Sequence, residues 1–66
     1  MYPAGLTERE VEVLRLLGRR QTDKEIAEAL YLGPRTVQSH VAHILNKLGV
    51  ANRREAAARA GHLGLL

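Results

Sequence analysis

The chain has 66 residues, a formal net charge of +3 and no cysteine. This length allows one domain, over residues 1–66, and the lack of cysteine excludes disulfides and thiolate metal sites. No apolar run approaches the roughly 18 residues that a membrane span needs, and the first residues do not resemble a signal peptide. We therefore expect a cytoplasmic domain without membrane contact, and its small size favours a piece of a longer protein.

Charged residues are distributed unevenly along the chain. No acidic residue lies between Glu28 and Glu55. This window contains four cations and two histidines, namely Arg35, His40, His43, Lys47, Arg53 and Arg54. Chance clustering on a solvated surface is one interpretation. The other is a basic footprint for the phosphates of a nucleic acid.

Helix starts are marked at four places. Three are capping-box patterns, in which a Thr or Asn stands three residues before a Glu: Thr7 and Glu10, Thr22 and Glu25, Asn52 and Glu55. In a capping box, each side chain accepts a hydrogen bond from the other residue's backbone N–H. The fourth start is Gly33 followed by Pro34, because a proline at the first helical position loses no hydrogen bond.

Glycines mark the helix ends. Gly18 ends the first helix, Gly49 ends the third, and Gly61 or Gly64 ends the fourth. The predicted helices span residues 8–18, 23–30, 34–48 and 53–61. No segment alternates in the manner of a strand. The fold class is therefore all-α, with a three-helix core and a C-terminal fourth helix laid against it.

The second and third helices form a helix-turn-helix pattern, in which a short helix, a tight turn at residues 31–33 and a longer helix follow one another. The apolar residues of the third helix share one side of a helical wheel: Val37, Val41, Ile44 and Leu48. We expect this side to face the core. The segment Pro34–Lys47 would then present its opposite side to the major groove of DNA.

The exposed surface of the third helix divides into two predicted roles. What we name the base-reading face consists of Arg35, Gln38, Ser39 and Ala42. Gln38 can pair with adenine through two hydrogen bonds, and Ala42 can contact a thymine methyl. Ser39 can donate or accept a hydrogen bond, and Arg35 can reach a guanine or a phosphate. The neighbouring flank suits the DNA backbone and consists of Thr36, His40, His43 and Lys47.

Other charged residues have competing interpretations. His40 and His43 lie three residues apart, which is a metal-ligand spacing, but no third ligand is near and we expect no metal or cofactor. Arg53 opens the fourth helix, where a cation is unfavourable to the helix dipole. We therefore predict an ion pair with Glu10, and a DNA contact is the second interpretation. Arg54 is expected to face a phosphate.

These residues resemble the LuxR/FixJ-type (GerE-type) DNA-binding domain of bacterial transcription regulators. The resemblance runs from about Leu6 to Leu66 and rests on Leu6–Glu10, Val13–Leu14, Asp23–Ala27, Leu30, Thr36–Val37, His40, Lys47–Val50 and Asn52–Arg53. It implies four helices, with the third in the major groove and the fourth as a dimer contact. It also implies base contacts at Gln38, Ser39 and Ala42, and backbone contacts at Thr22, Lys24, Thr36, His40 and Lys47.

Two positions depart from the family pattern. Gln38 stands where lysine is frequent, which weakens the electrostatic attraction to DNA. Gly33 stands where serine is usual, which loosens the start of the third helix by roughly a few tenths of a kcal/mol.

The fourth helix is rich in alanine. Small side chains permit the close approach of another helix, and we predict a small two-fold dimer contact at Ala56, Ala57 and Ala60. A sequence chosen for helix propensity alone is the other interpretation. Three leucines that follow are expected to cap the core or to join the contact: Leu63, Leu65 and Leu66.

These observations together predict the effector domain of a bacterial transcription regulator. It would bind double-stranded DNA at a roughly palindromic site as a homodimer, under the control of an N-terminal receiver or sensor domain. Two alternatives stay open, which are region 4 of a sigma factor and a helical protein-interaction module. We expect no enzyme, because no nucleophile, carboxylate pair or phosphate-binding loop is visible.

Overall fold

The computed structural model describes residues 2–65, which form four α-helices after a short 3-10 turn at Pro3–Gly5. The helices are α1 (Glu8–Gly18), α2 (Asp23–Leu30), α3 (Pro34–Leu48) and α4 (Arg53–His62). The predicted all-α fold is confirmed, and the helix bounds agree with the predicted ranges except that α4 ends one residue later. None of the helices in residues 2–65 has the length and apolarity that crossing a bilayer requires.

Two complete capping boxes open α1 and α2. The hydroxyl of Thr7 accepts from the Glu10 N–H at 3.1 Å, while the Glu10 carboxylate accepts from the Thr7 N–H at 2.9 Å. Thr22 and Glu25 form the same reciprocal pair at 3.1 and 2.8 Å. Both boxes satisfy backbone N–H groups that have no partner within the helix.

The starts of α3 and α4 are built differently. Gly33 precedes Pro34 in an extended conformation and supplies no side-chain cap. At α4 the predicted capping box is incomplete. The Asn52 side chain accepts from the Glu55 N–H at 3.0 Å, but the Glu55 carboxylate accepts from the Ala51 N–H instead of from the Asn52 N–H. One more residue of the preceding loop is thereby tied to the helix.

Two of the turns that connect helices place a residue other than glycine in the left-handed conformation. Gly18 is the last residue of α1, and the left-handed residue is Arg20, with φ 64°. In the turn between α2 and α3 it is Tyr31, with φ 56°, whereas the neighbouring Gly33 has φ −73°. This conformation costs an L-residue with a side chain roughly 1–2 kcal/mol. The prediction from glycine positions therefore did not identify the left-handed residues of these two turns, which are Arg20 and Tyr31.

A single hydrophobic core joins all four helices. Leu14 of α1, Ile26 of α2 and Ile44 of α3 are fully buried in it. From α4 the core receives Ala56 and Ala60, which are also fully buried. α4 packs most extensively against α1, because alanine side chains let the two helix backbones approach closely.

The residues after α4 cover one end of the core. Leu65 is buried and Leu63 is half-buried against the core. Arg15 Nε donates a hydrogen bond to the Leu65 carbonyl at 3.0 Å, which ties this segment to α1. Leu63 and Leu65 thus cap the core, and Leu66 lies outside the described residues.

Candidate nucleic-acid interface

The third helix is divided into a buried and an exposed side as the helical wheel predicted. Val37 and Ile44 are fully buried, and Val41 and Leu48 lie on the same side with less than a tenth of their surface exposed. All four residues of the base-reading face are exposed, namely Arg35, Gln38, Ser39 and Ala42. The helix is therefore held by its apolar side, and its opposite side is accessible to a ligand.

The base-reading face contains no acidic residue and takes part in no ion pair within residues 2–65. The segment Pro34–Leu48 contains no Asp or Glu. The ion pairs found in residues 2–65 lie elsewhere, at Arg9–Glu12, Lys47–Glu10 and Arg53–Asp23. Nothing on this surface of α3 would repel a phosphate.

The residues predicted to contact the DNA backbone lie at the surface. Thr36 and His43 are exposed on α3, and His40 is half-buried beside them. Thr22 and Lys24 are exposed at the start of α2, and Arg54 is exposed at the start of α4. Among residues 2–65 there is no group of three or more side chains placed to hold a metal ion. The roles of these surface residues in binding the DNA backbone stay predictions.

Lys47 is held by a carboxylate on another helix. Its Nζ lies 2.7 Å from Glu10 Oε1 and 3.1 Å from the Gly5 carbonyl oxygen. The ammonium thus joins the last turn of α3 to the start of α1 and to the turn before it. The predicted role of Lys47 at a phosphate competes with this anchoring role, because two of its three donors already have partners.

Glu10 receives this ammonium inside the protein. Its side chain is only 5% exposed, against 33% for Lys47. Burial raises the pKa of the Glu10 carboxyl, but the hydrogen bond and charge of Lys47 and the hydrogen bonds from Thr7 outweigh burial and hold it below its ordinary value. Glu10 is therefore a carboxylate with two tasks, since it caps α1 and anchors α3.

Arg53 does not pair with Glu10, and that prediction was wrong. Its Nη1 donates to Asp23 Oδ1 at 2.7 Å, and its Nη2 donates to the Gln21 carbonyl at 3.0 Å. The reasoning that a cation at the start of α4 needs a partner was sound. The packing places the start of α4 next to the start of α2, so that the carboxylate within reach is that of Asp23.

The predicted dimer contact on α4 also requires correction. Ala56 and Ala60 are 0% exposed and Ala57 is 6% exposed, because they form the side of α4 that packs against the rest of the domain. A second copy of the chain cannot reach side chains that the first copy already covers. The alanine that α4 does expose is Ala58.

Comparison with known proteins decides the family. The family described as "Bacterial regulatory proteins, luxR family" matches residues 4–60. The chain belongs to this family. The predicted LuxR-type membership is therefore confirmed, and it takes the place of the sigma-factor alternative.

Individual relatives agree with the LuxR-type assignment. The transcriptional regulatory protein LnrK of Bacillus subtilis is 48% identical over 60 residues, which are 91% of this chain and 27% of LnrK. The spore germination protein GerE of Bacillus subtilis is 41% identical over 61 residues, which are 92% of this chain and 82% of GerE. The chain spans about a quarter of the length of the first curated relatives it matches.

A solved structure gives the same result for the fold. The structure of the transcription factor GerE superimposes with a TM-score of 0.81 at 38% identity, over 92% of this chain and 91% of that one. The LuxR-type arrangement of four helices is thus shared along nearly the whole domain.

Proposed function

We propose that this LuxR-type domain binds double-stranded DNA by inserting α3 into the major groove, as the effector domain of a bacterial transcription regulator acting in the cytoplasm. The observation that carries the proposal is the exposed, acid-free side of α3, opposite a buried apolar side. A helix of 15 residues is about 22 Å long, and the major groove of B-DNA, about 12 Å wide, admits a helix.

Sequence recognition is assigned to the base-reading face. Gln38 is suited to adenine and Ala42 to the methyl group of thymine. Ser39 can donate a hydrogen bond to a base acceptor or accept one from a base donor. Arg35 lies at the start of α3, where its long side chain reaches a guanine or the adjacent phosphate. With one amide, one hydroxyl and one methyl at its centre, this face supplies modest discrimination, so a second copy of the domain is needed for a specific site.

Backbone contacts are assigned to residues around this face. The start of α2 contributes Thr22 and Lys24, α3 contributes Thr36, His40 and His43, and α4 contributes Arg54. Such contacts fix the orientation of the helix on DNA without reading sequence. We assign Lys47 mainly to anchoring α3, because its ammonium is already bound to Glu10.

Two copies are proposed to bind one roughly palindromic site, with half-sites about one helical turn apart or closer. The contact between copies would use the exposed side of α4 around Ala58. Since this chain spans only 27% of LnrK, we further propose that an N-terminal receiver or sensor domain controls the effector domain in the whole protein.

The proposal is tested by fluorescence anisotropy with labelled duplex DNA at several salt concentrations. Binding should weaken steeply with salt, because each phosphate contact contributes a slope of about −0.9 in log K against log salt. Selection from a random duplex pool then gives the preferred sequence. Absence of binding at low salt would overturn the proposal and favour a protein-interaction module.

Two matched variants separate base reading from backbone binding. Gln38→Ala should relax preference at one base pair by about 1–3 kcal/mol. Lys24→Gln should weaken all sequences to the same extent and make the salt dependence shallower. If both variants change sequence preference alike, the assignment of α3's base-reading face is wrong.

The dimer is tested by a separate variant. Ala58→Glu should abolish cooperative binding to paired half-sites while binding to a single half-site persists.

A further inference from the structure

A basic cleft lies where the end of α1 and the loop after it meet the start of α4. It has a volume of about 200 Å³ and is lined by Leu17, Arg20, Gln21, Arg53, Arg54 and Ala57. Leu17 and Ala57 are buried, and the three arginines supply the charge. Among residues 2–65 the lining includes no carboxylate, and with Arg53 paired to Asp23 the cleft keeps an excess of positive charge from Arg20 and Arg54.

One of the three arginines is fixed and the other two are available. Arg53 is bound to Asp23 and to the Gln21 carbonyl, which neutralises the nearest acid and holds the α1–α2 loop against α4. Arg20 and Arg54 are exposed, and neither belongs to an ion pair within residues 2–65. Two arginines of the lining, Arg20 in the loop after α1 and Arg54 in α4, are therefore available to a ligand.

Two local features set this cleft apart from an ordinary charged surface. Arg20 has a left-handed backbone (φ 64°), a conformation that disfavours side chains and that is found preferentially at functional sites. The side-chain oxygen of Gln21 is buried without a hydrogen-bond partner, although buried polar atoms normally have one. Rotating this amide by half a turn presents its NH₂ group as a donor instead.

We propose that this cleft binds an oxyanion, and that the oxyanion is a backbone phosphate of DNA beside the half-site. This inference rests on the proposed function. Guanidinium groups match phosphate in geometry and charge, and the volume accommodates one phosphate group. The location of the cleft favours DNA as the source. Arg53 lines the cleft and binds Asp23, the first residue of α2. Asp23 stands between Thr22 and Lys24 in the chain, so the cleft lies beside these two proposed backbone contacts.

The test measures the salt dependence of binding to a short duplex of mixed sequence, of about 12 base pairs, which holds one copy of the 66-residue chain. Arg20→Gln and Arg54→Gln should each make the log K against log salt slope shallower by about 0.9, the loss of one phosphate contact. Arg19→Gln is the matched control, because this exposed neighbour removes the same charge but lines the groove between α1 and α2 instead of the cleft.

The outcomes distinguish the cleft from the proposed function. If the unmodified chain binds no DNA, the proposed function fails and the cleft proposal fails with it. If the chain binds DNA with a steep slope, but Arg20→Gln and Arg19→Gln change that slope equally, the cleft is not a phosphate site. If Arg20→Gln leaves the slope on the short duplex unchanged and abolishes cooperativity on paired half-sites, the ligand is a carboxylate of a second copy, which also overturns the phosphate proposal.

Discussion

Removing the ammonium of Lys47 tests whether α3 is anchored to α1 by an ion pair. In Lys47→Met the aliphatic stem remains, but the Glu10 carboxylate loses its partner at 2.7 Å. Exposed ion pairs contribute about 0.2–1 kcal/mol, whereas breaking a fully buried pair costs about 3–5 kcal/mol. With 5% exposure on the acid side and 33% on the base side, we expect a loss of about 2 kcal/mol.

That loss is large for this domain. A chain of this size has a free energy of unfolding of about 3–10 kcal/mol, and 1 kcal/mol shifts the melting temperature by about 4–8 °C. Lys47→Met should therefore melt roughly 10 °C lower by circular dichroism. Glu10→Gln keeps the acceptor of the α1 capping box and removes only the charge. The double variant, Glu10→Gln with Lys47→Met, should lose less stability than the sum of the two single losses. The difference, which is the coupling energy of the pair, should be about 1–2 kcal/mol.

The pH dependence of this pair has a definite sign. The pKa of Glu10 is lowered in the folded chain from an ordinary value of 4.5, so the carboxylate stabilises the fold above pH 4.5. That contribution disappears as the pH falls through the folded-state pKa. The stability difference between the unmodified chain and Lys47→Met should therefore be largest near neutral pH and shrink as the pH falls and the Glu10 carboxylate is protonated, as measured by urea unfolding.

A different result would refute the anchoring role. If Lys47→Met leaves the melting temperature unchanged and instead makes the salt dependence of DNA binding shallower by about 0.9, the ammonium contacts a phosphate. The pair with Glu10 would then be incidental. A stability difference that does not vary with pH would likewise exclude Glu10 as the partner that matters.

Three further predictions test a turn, the core packing and a helix cap. Tyr31→Gly should raise the free energy of unfolding by about 1 kcal/mol, because glycine adopts the left-handed conformation without strain; Tyr31→Ala, measured by the same melting assay, should give no such gain. Ala60→Leu should destabilise by about 1–3 kcal/mol through overpacking, whereas Ala58→Leu on the exposed side of α4 should be nearly neutral in urea unfolding. Asn52→Ala should cost about 1 kcal/mol in the same measurement, through loss of the helix cap.

Features that depend on residues close in the chain were predictable. The capping boxes of α1 and α2 depend on two residues three apart, and so their starts at Glu8 and Asp23 could be read from the sequence. The buried side of α3 follows from helical periodicity, which is also local. The site residues exposed on α3 follow from the same periodicity, since they are the positions that the apolar stripe leaves out.

Features that depend on packing between distant segments were not predictable. The carboxylate partner of Arg53 lies 30 residues away, and that of Lys47 lies 37 residues away. The sequence indicated that Arg53 needed an acid, but which acid is near depends on where the packing of α4 places its first residues relative to α1 and α2. The alanines of α4 posed a related difficulty, because small side chains suit both a contact between copies and a close contact within one copy.

The ion pair between Lys47 and Glu10 affects how the domain would hold DNA. α3 contains two cations, Arg35 and Lys47, and Lys47 is bound to Glu10. Within residues 2–65, α3 therefore retains one permanent positive charge outside an ion pair, which is too little to support the steep salt dependence that the proposed DNA binding requires. We therefore assign most of the proposed phosphate contacts to neighbouring elements, such as Lys24 on α2 and Arg54 on α4. A variant with Arg35→Gln should for this reason keep most of the salt slope, while Lys24→Gln combined with Arg54→Gln should lose about two phosphate contacts.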